Sequence, residues 1–224
     1  MQYYFIGGLG GNGYHLAPLI EKLGFPVTFL DPYREMIQTE KDLRAWFQGQ
    51  ISQANEICLL GHSLGGDLAR YLAAEFPQIL ALILLDGGYL DMEKILPLEE
   101  ELEGTSSFMQ QQVFATLEEA VLSELGDGAD LTPIARKAVE ASYRWNPVSE
   151  QYELNLDLEK ILALLRLRRQ MNTYQIPLAD LPVLFIGPRY QEEPEWRKDA
   201  LKQLDPQIKQ VLLEGLGHEL YTEA

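Results

Sequence analysis

The 224-residue sequence predicts an α/β fold, a mostly parallel sheet flanked by helices with an all-helical insertion. Three observations lead there. Short apolar runs alternate with helical patterns up to about residue 89. Between Tyr89 and Ile176 the patterns are helical and no strand stands out. From Pro182 to Leu213 the alternation resumes. A strand–helix–strand repeat sets its strands parallel, because each helix carries the chain back to the end where it started.

Each element has its own signal. Tyr3 to Ile6 is an apolar run ending at Gly7-Gly8, a strand entering a loop. Tyr14 to Leu23 fits a helix closed by Gly24. Val27 to Leu30 is a strand ended by Asp31-Pro32. Glu40 to Gln53 reads as a helix with Leu43, Trp46, Phe47 and Ile51 near one face. Glu56 to Leu60 is a buried strand, Leu64 to Phe76 a helix stopped by Pro77, and Ile79 to Leu85 a strand apolar on both faces. Phe108 to Leu125, Pro133 to Tyr143 and Leu156 to Met171 are the clearest helices of the middle stretch. Pro97, Gly126-Asp127-Gly128 and Asn146-Pro147 are its breaks. Pro182 to Ile186 and Ile208 to Leu213 are strands around a helix from Pro194 to Leu204. The expected division is a core of residues 1–89 and 178–224 with a helical cap of residues 90–177.

Composition narrows the function. Thirty-four acidic and 18 basic residues give a formal charge of −16, which argues against nucleic acid or an anionic membrane as partner. Hydrophobic residues make up 46% and mean hydropathy is −0.14, enough for a globular core. Cys58 is the single cysteine and sits in an apolar strand, so it reads as a small buried hydrophobe in a chain without an internal disulfide. No signal peptide or membrane-length apolar stretch is read, and a cytoplasmic location is expected.

Gly61-His62-Ser63-Leu64-Gly65 follows a buried strand and opens a helix. The pattern G-x-S-x-G makes a sharp turn that lifts a serine above the sheet. Its glycines allow close packing, and the first amides of the helix face a developing oxyanion. Among three histidines, His218 stands in Gly217-His218 after the last strand, where a base can reach Ser63 across the sheet. His62 holds the variable position of the turn and is expected to point away from the site. His15 and Tyr14 follow the glycine loop and read as helix residues bordering the site.

These residues resemble the α/β-hydrolase family, and the resemblance covers nearly the whole chain outside the insertion. Gly61 to Gly66 is similar to the nucleophile elbow of esterase- and lipase-like members, and Gly217-His218 to the family's catalytic histidine. The insertion lies where the family carries a cap. The chain opens at what resembles the family's third strand, so the first hairpin is expected to be absent. The family acid usually follows the next-to-last strand, where this sequence reads Gly187-Pro188-Arg189-Tyr190-Gln191-Glu192-Glu193, with Tyr190 at the expected place. Asp86, Glu192 and Glu193 remain as candidates, Asp86 slightly favoured. The resemblance assigns the oxyanion donors to the amides of Leu64 and of Leu9, in Gly7-Gly8-Leu9.

A rival pattern lies in the same loop. Gly8, Gly10 and Gly13 match G-x-G-x-x-G, and Asp31 ends the next strand at nearly the spacing of an NAD(P)-binding fingerprint. That reading leaves Ser63 and His218 unexplained, whereas the hydrolase reading uses all of them. A non-catalytic ligand-binding relative of the fold is a third possibility. The expected function is hydrolysis of a carboxylester or thioester of a small apolar acyl substrate through an acyl-enzyme on Ser63. No cofactor and no metal are expected, and a homodimer through the cap would fit. Phe108, Met109, Phe114, Tyr143 and Trp145 are candidate pocket residues. Arg166, Arg168 and Arg169 read as a solvated helix face.

Overall fold

The computed structural model describes residues 1–51, 53–126, 132–178 and 180–222. Its frame is a six-stranded sheet of β1 (Gln2–Ile6), β2 (Thr28–Leu30), β3 (Ile57–His62), β4 (Ile79–Leu85), β8 (Val183–Arg189) and β9 (Lys209–Glu214), in the order β2-β1-β3-β4-β8-β9. Every neighbouring pair is parallel. The strand order reverses around β1 and β3, so loops after these strands open at one sheet edge, where ligands bind in open α/β sheets.

Alternate side chains of the strands point to opposite faces. Ile6, Leu59, Leu82 and Phe185 pack on one face against α2 (Glu40–Gln50), α3 (Leu64–Glu75) and α8 (Leu158–Met171). Phe5, Cys58, Leu60 and Leu85 pack on the other against Leu16 of α1 (Gly13–Leu23) and against Leu220 and Tyr221 near the C-terminus. All six residues of β3 are buried, as its central place requires. The helix α9 (Glu195–Gln203) joins β8 to β9. Among the described residues, no helix is long and apolar enough to cross a membrane.

The segment between β4 and β8 corrects the all-helical expectation. It contains α4 (Met92–Ile95), α5 (Leu98–Gln111), α6 (Leu117–Leu125), α7 (Pro133–Ser142) and α8. It also holds a three-stranded antiparallel sheet of β5 (Val113–Phe114), β6 (Tyr143–Asn146) and β7 (Gln151–Leu154), ordered β5-β7-β6. Asn146-Pro147 is the turn of a hairpin rather than a simple break. The Asn146 side chain accepts from Val148 N at 2.9 Å, and Trp145 packs edge to face across the strands on Tyr152 at 5.1 Å. Four-residue strands are too short to show a period of two. Pairing of Val113–Phe114 with Tyr152–Glu153 splits the expected helix Phe108–Leu125 in two. Of the break Gly126-Asp127-Gly128, residues 127 and 128 lie outside the described residues.

Arg168 and Arg169 are likewise no solvated face. Their side chains are 8% and 4% exposed, and both pair with Glu101 of α5. Arg168 also lies 3.5 Å from Asp67 of α3, which accepts from Thr173 Oγ1. The pairing locks α5 and α8 onto the core helix α3. Arg166 is exposed. On the other side of the insertion, the Asn12 amide donates to Ala138 O at 2.8 Å and to Ser142 Oγ at 3.0 Å, tying α7 to the loop after β1.

Candidate active site

Strand β3 delivers the chain to Ser63 in a conformation with φ 51° and ψ −126°. Positive φ is unfavourable for a residue with a Cβ and persists only where surroundings enforce it. Here Ser63 N donates to Leu85 O at 3.2 Å, and Gly66 N closes the turn on Ser63 O at 2.9 Å. A Cβ on Gly65 would run into the carbonyl oxygens of Ile6 and Gly7, so only glycine lets the elbow sit against β1. Leu64 then opens α3, where first-turn amides lack intrahelical acceptors and the helix end is electropositive.

The loop after β1 lies directly on the elbow. A Cβ at Gly8 would fall 3.1 Å from Ser63 Cβ and 2.9 Å from His62 Nδ1. Gly11 N bonds Gly8 O at 3.0 Å, which makes a tight turn with Leu9 at its corner. The rival roles of this loop are taken up otherwise. Asn12 caps α1, and Tyr33 OH donates to Gly7 O at 2.7 Å. Asp31 accepts from Tyr33 N at 3.1 Å and pairs with Arg34. Gly8 gives close approach to Ser63, and Asp31 caps its own turn.

His218 follows β9 and the left-handed Gly215, and its Nδ1 lies 2.7 Å from Asp86 Oδ2. Asp86 stands just past β4 with φ 42°, its N–H held by Ile186 O at 2.8 Å. With Nδ1–H donating to the carboxylate, Nε2 keeps its lone pair, the tautomer of a general base. Of the acids left open by the sequence, Asp86 is the one brought to His218. Glu193 is bound by Arg197 instead, and Glu192 is exposed.

The far side of Asp86 holds a network that the sequence reading missed. Arg197 of α9 is 1% exposed and donates from Nη2 to Asp86 Oδ1 at 3.0 Å. Its Nε donates to Tyr89 OH at 2.9 Å, and Tyr89 OH donates to Asp86 Oδ1 at 3.1 Å. Tyr190, where the family acid was expected, lies 4.9 Å from the guanidinium carbon. Burial pushes the Asp86 carboxyl up, but the bonds from His218 and Arg197 outweigh it and hold the group below its ordinary value. His218 is held above its ordinary value, first by the Asp86 hydrogen bond. An arginine at the i+4 position from Glu193 is the one trace of this network in the sequence.

His62 corrects the expectation that it points away. It is fully buried, its ring lies 4.7 Å from that of His218 and 4.9 Å from that of Tyr221, and its Nε2–H donates to the His218 carbonyl at 2.9 Å. Burial, and secondly the charge of His218, lowers its pKa to about 4. The turn's variable position thus supports the histidine segment from below. The nitrogen or carboxylate atoms of His62, His218 and Glu219 lie within 4.8 Å of one another and form the one group of metal-ligating type among the described residues. That spacing is wide for a shared ion bound at about 2 Å, and His218 Nδ1 is already committed to Asp86.

A cavity of about 470 Å³ lies between the Leu9–Gly11 loop, the segment Glu219–Thr222 and the insertion. Phe108, Met109, Leu125, Leu154 and Leu156 supply apolar wall, and His15 borders it. Of the other candidate pocket residues, Phe114 and Tyr143 pack edge to face at 5.4 Å in a small core of the insertion, and Trp145 is exposed. Tyr14 is exposed as well.

Known proteins carry the same frame. A thioesterase domain from a curacin biosynthetic pathway has a TM-score of 0.70 at 18% identity, covering 99% of this chain and 87% of its own. An E-2-(acetamidomethylene)succinate hydrolase has a TM-score of 0.69 at 18% identity, with 97% and 84% covered. An M. tuberculosis esterase has 0.66 at 18% identity, with 99% and 80% covered. No curated protein sequence matches the chain. A family model described as the α/β hydrolase fold matches residues 4–186, from β1 through the elbow and the insertion into β8. The chain belongs to the α/β-hydrolase fold family and is a hydrolase enzyme built on that fold.

Proposed function

We propose that this protein is a serine hydrolase that cleaves carboxylesters or thioesters through an acyl-enzyme on Ser63. The observation that carries the reading is the Asp86–His218 pair at 2.7 Å, in a fold whose elbow holds Ser63 at positive φ at the start of a helix. His218 Nε2 takes the Ser63 proton as Oγ attacks the acyl carbon. The oxyanion forms between the amides of Leu64 and Leu9, and His218 then protonates the leaving group. Water, activated by the same nitrogen, releases the acyl group. Asp86 fixes the tautomer and supports the imidazolium. Arg197 and Tyr89 fix Asp86.

The insertion serves as the cap. Its apolar cavity wall suits an acyl chain, and it is bordered by Leu9 of the proposed oxyanion loop and by Glu219, the residue after His218. The reading is tested with p-nitrophenyl esters of increasing acyl length, with rapid quench and mass measurement of the intact protein. An acyl adduct on Ser63 and a pre-steady-state burst are expected. Ser63→Ala loses both, Asp86→Ala lowers kcat by about 10³-fold or more, and Glu193→Ala changes kcat far less. Normal turnover in Asp86→Ala, with loss in Glu193→Ala, contradicts the assignment of the acid.

A further inference from the structure

Asp86 fixes the ring of His218, and a second contact fixes its main chain. Strand β9 lies at the edge of the sheet, so no further strand flanks the segment that follows it. The His218 side chain is 45% exposed. Beneath it stands His62, fully buried, whose Nε2–H donates to the His218 carbonyl at 2.9 Å while the two rings lie 4.7 Å apart. His62 is itself held on several sides. Its backbone ends β3 in register with Leu85, the residue before Asp86. Its ring abuts the turn after β1, where a Cβ on Gly8 would fall 2.9 Å from Nδ1 and 3.2 Å from Cε1, and it lies 4.9 Å from the Tyr221 ring. The next residue in the chain is Ser63. One buried imidazole therefore meets the nucleophile through the chain, the acid through the strand register, the Leu9 loop through packing and the base through a hydrogen bond. A side chain packed this closely has little freedom, and neither has the carbonyl it holds.

We propose that His62 is a positioning residue for catalysis: its hydrogen bond to the His218 carbonyl sets the base in place for Ser63. This rests on the serine-hydrolase reading and adds to its machinery a residue that does not line the cavity. The role is geometric, since burial keeps the His62 ring neutral at any pH where His218 works as a base. A misplaced base slows proton transfer without weakening binding. His218 serves both the acylation and the release of the acyl group, so both steps slow together. Loss of the bond therefore lowers kcat and leaves KM in place.

Three variants separate the bond from the ring. His62→Phe keeps the ring and removes the donor. His62→Gln removes the ring and puts an amide nitrogen near the place of Nε2. His62→Asn carries the amide only as far as Nδ1. Turnover of a short p-nitrophenyl ester is measured per Ser63 labelled to completion by a fluorophosphonate, so that unfolded protein is not counted. In His62→Phe kcat is expected to fall about tenfold, the weight of one hydrogen bond, with KM within about twofold of wild type. His62→Gln is expected to recover kcat to within about threefold of wild type, and His62→Asn to stay as slow as His62→Phe. Wild-type kcat in His62→Phe overturns the inference, as does a raised KM at unchanged kcat. Equal rates in His62→Gln and His62→Asn overturn it even where His62→Phe does not fold. In each of these cases turnover by the wild type leaves the hydrolase reading intact. Folded wild-type protein that neither cleaves the ester nor takes label on Ser63 overturns both.

Discussion

Asp86 sits between two positive partners, and the balance between them sets the working pH. His218 must be neutral to act as base, and its pKa is raised by Asp86 and lowered by the charge of Arg197. The acid limb of kcat/KM should therefore lie above the ordinary histidine value of 6.5. Arg197→Met should move that limb to still higher pH, while Arg197→Lys keeps it near the wild-type position. A pH–rate profile checks both. His62 predicts a second pH effect, on stability. Its folded pKa of about 4 lies below the unfolded value of 6.5. Between these two the unfolded chain binds a proton that the folded chain does not, so stability is lost as pH falls from 6.5 toward 4. Full loss is about 3 kcal/mol. Denaturant unfolding of wild type and His62→Gln across this range should show the acid loss reduced in the variant.

At the scale of elements, legibility followed length and burial. The strand Ile79–Leu85 was readable to the residue because every position is apolar and all but Leu80 pack into the core on one face or the other. The elbow was readable because a strained turn admits few residues: Gly61, Gly65 and the serine between them are dictated by close backbone approach. The hairpin of β6 and β7 was not, since its strands are four residues long and only Tyr143 among them is buried. Arg168 and Arg169 of α8 were misread because a charged side chain looks solvated until its partners are known, and those partners lie on α5 and α3, more than 60 residues earlier. Two predictions belong here. Gly65→Ala should push the elbow off β1 and cost about 2 kcal/mol or more by overpacking, read by chemical denaturation. Glu101→Gln leaves two buried guanidinium groups short of a shared carboxylate and should cost about 2–3 kcal/mol, which a lowered unfolding midpoint would report.

Across the whole molecule, the frame and the candidate serine–histidine pair came from chain order, serine before histidine with strands between them. The contact that singles out Asp86 as the candidate acid is visible only in three dimensions. Asp86 and His218 are 132 residues apart and meet because β4 and the segment after β9 open at the same sheet edge. Arg197 fills the space beyond Asp86, against Tyr190, so the carboxylate arrives from the neighbouring strand. The central claim is that Ser63 is a nucleophile activated by His218. A fluorophosphonate probe followed by peptide mass spectrometry tests it most directly. The account predicts one adduct, on Ser63, abolished in Ser63→Ala and slowed by at least about 10³-fold in His218→Ala. Folded wild-type protein that takes no label on Ser63, or a His218→Ala variant that labels at the wild-type rate, would contradict it.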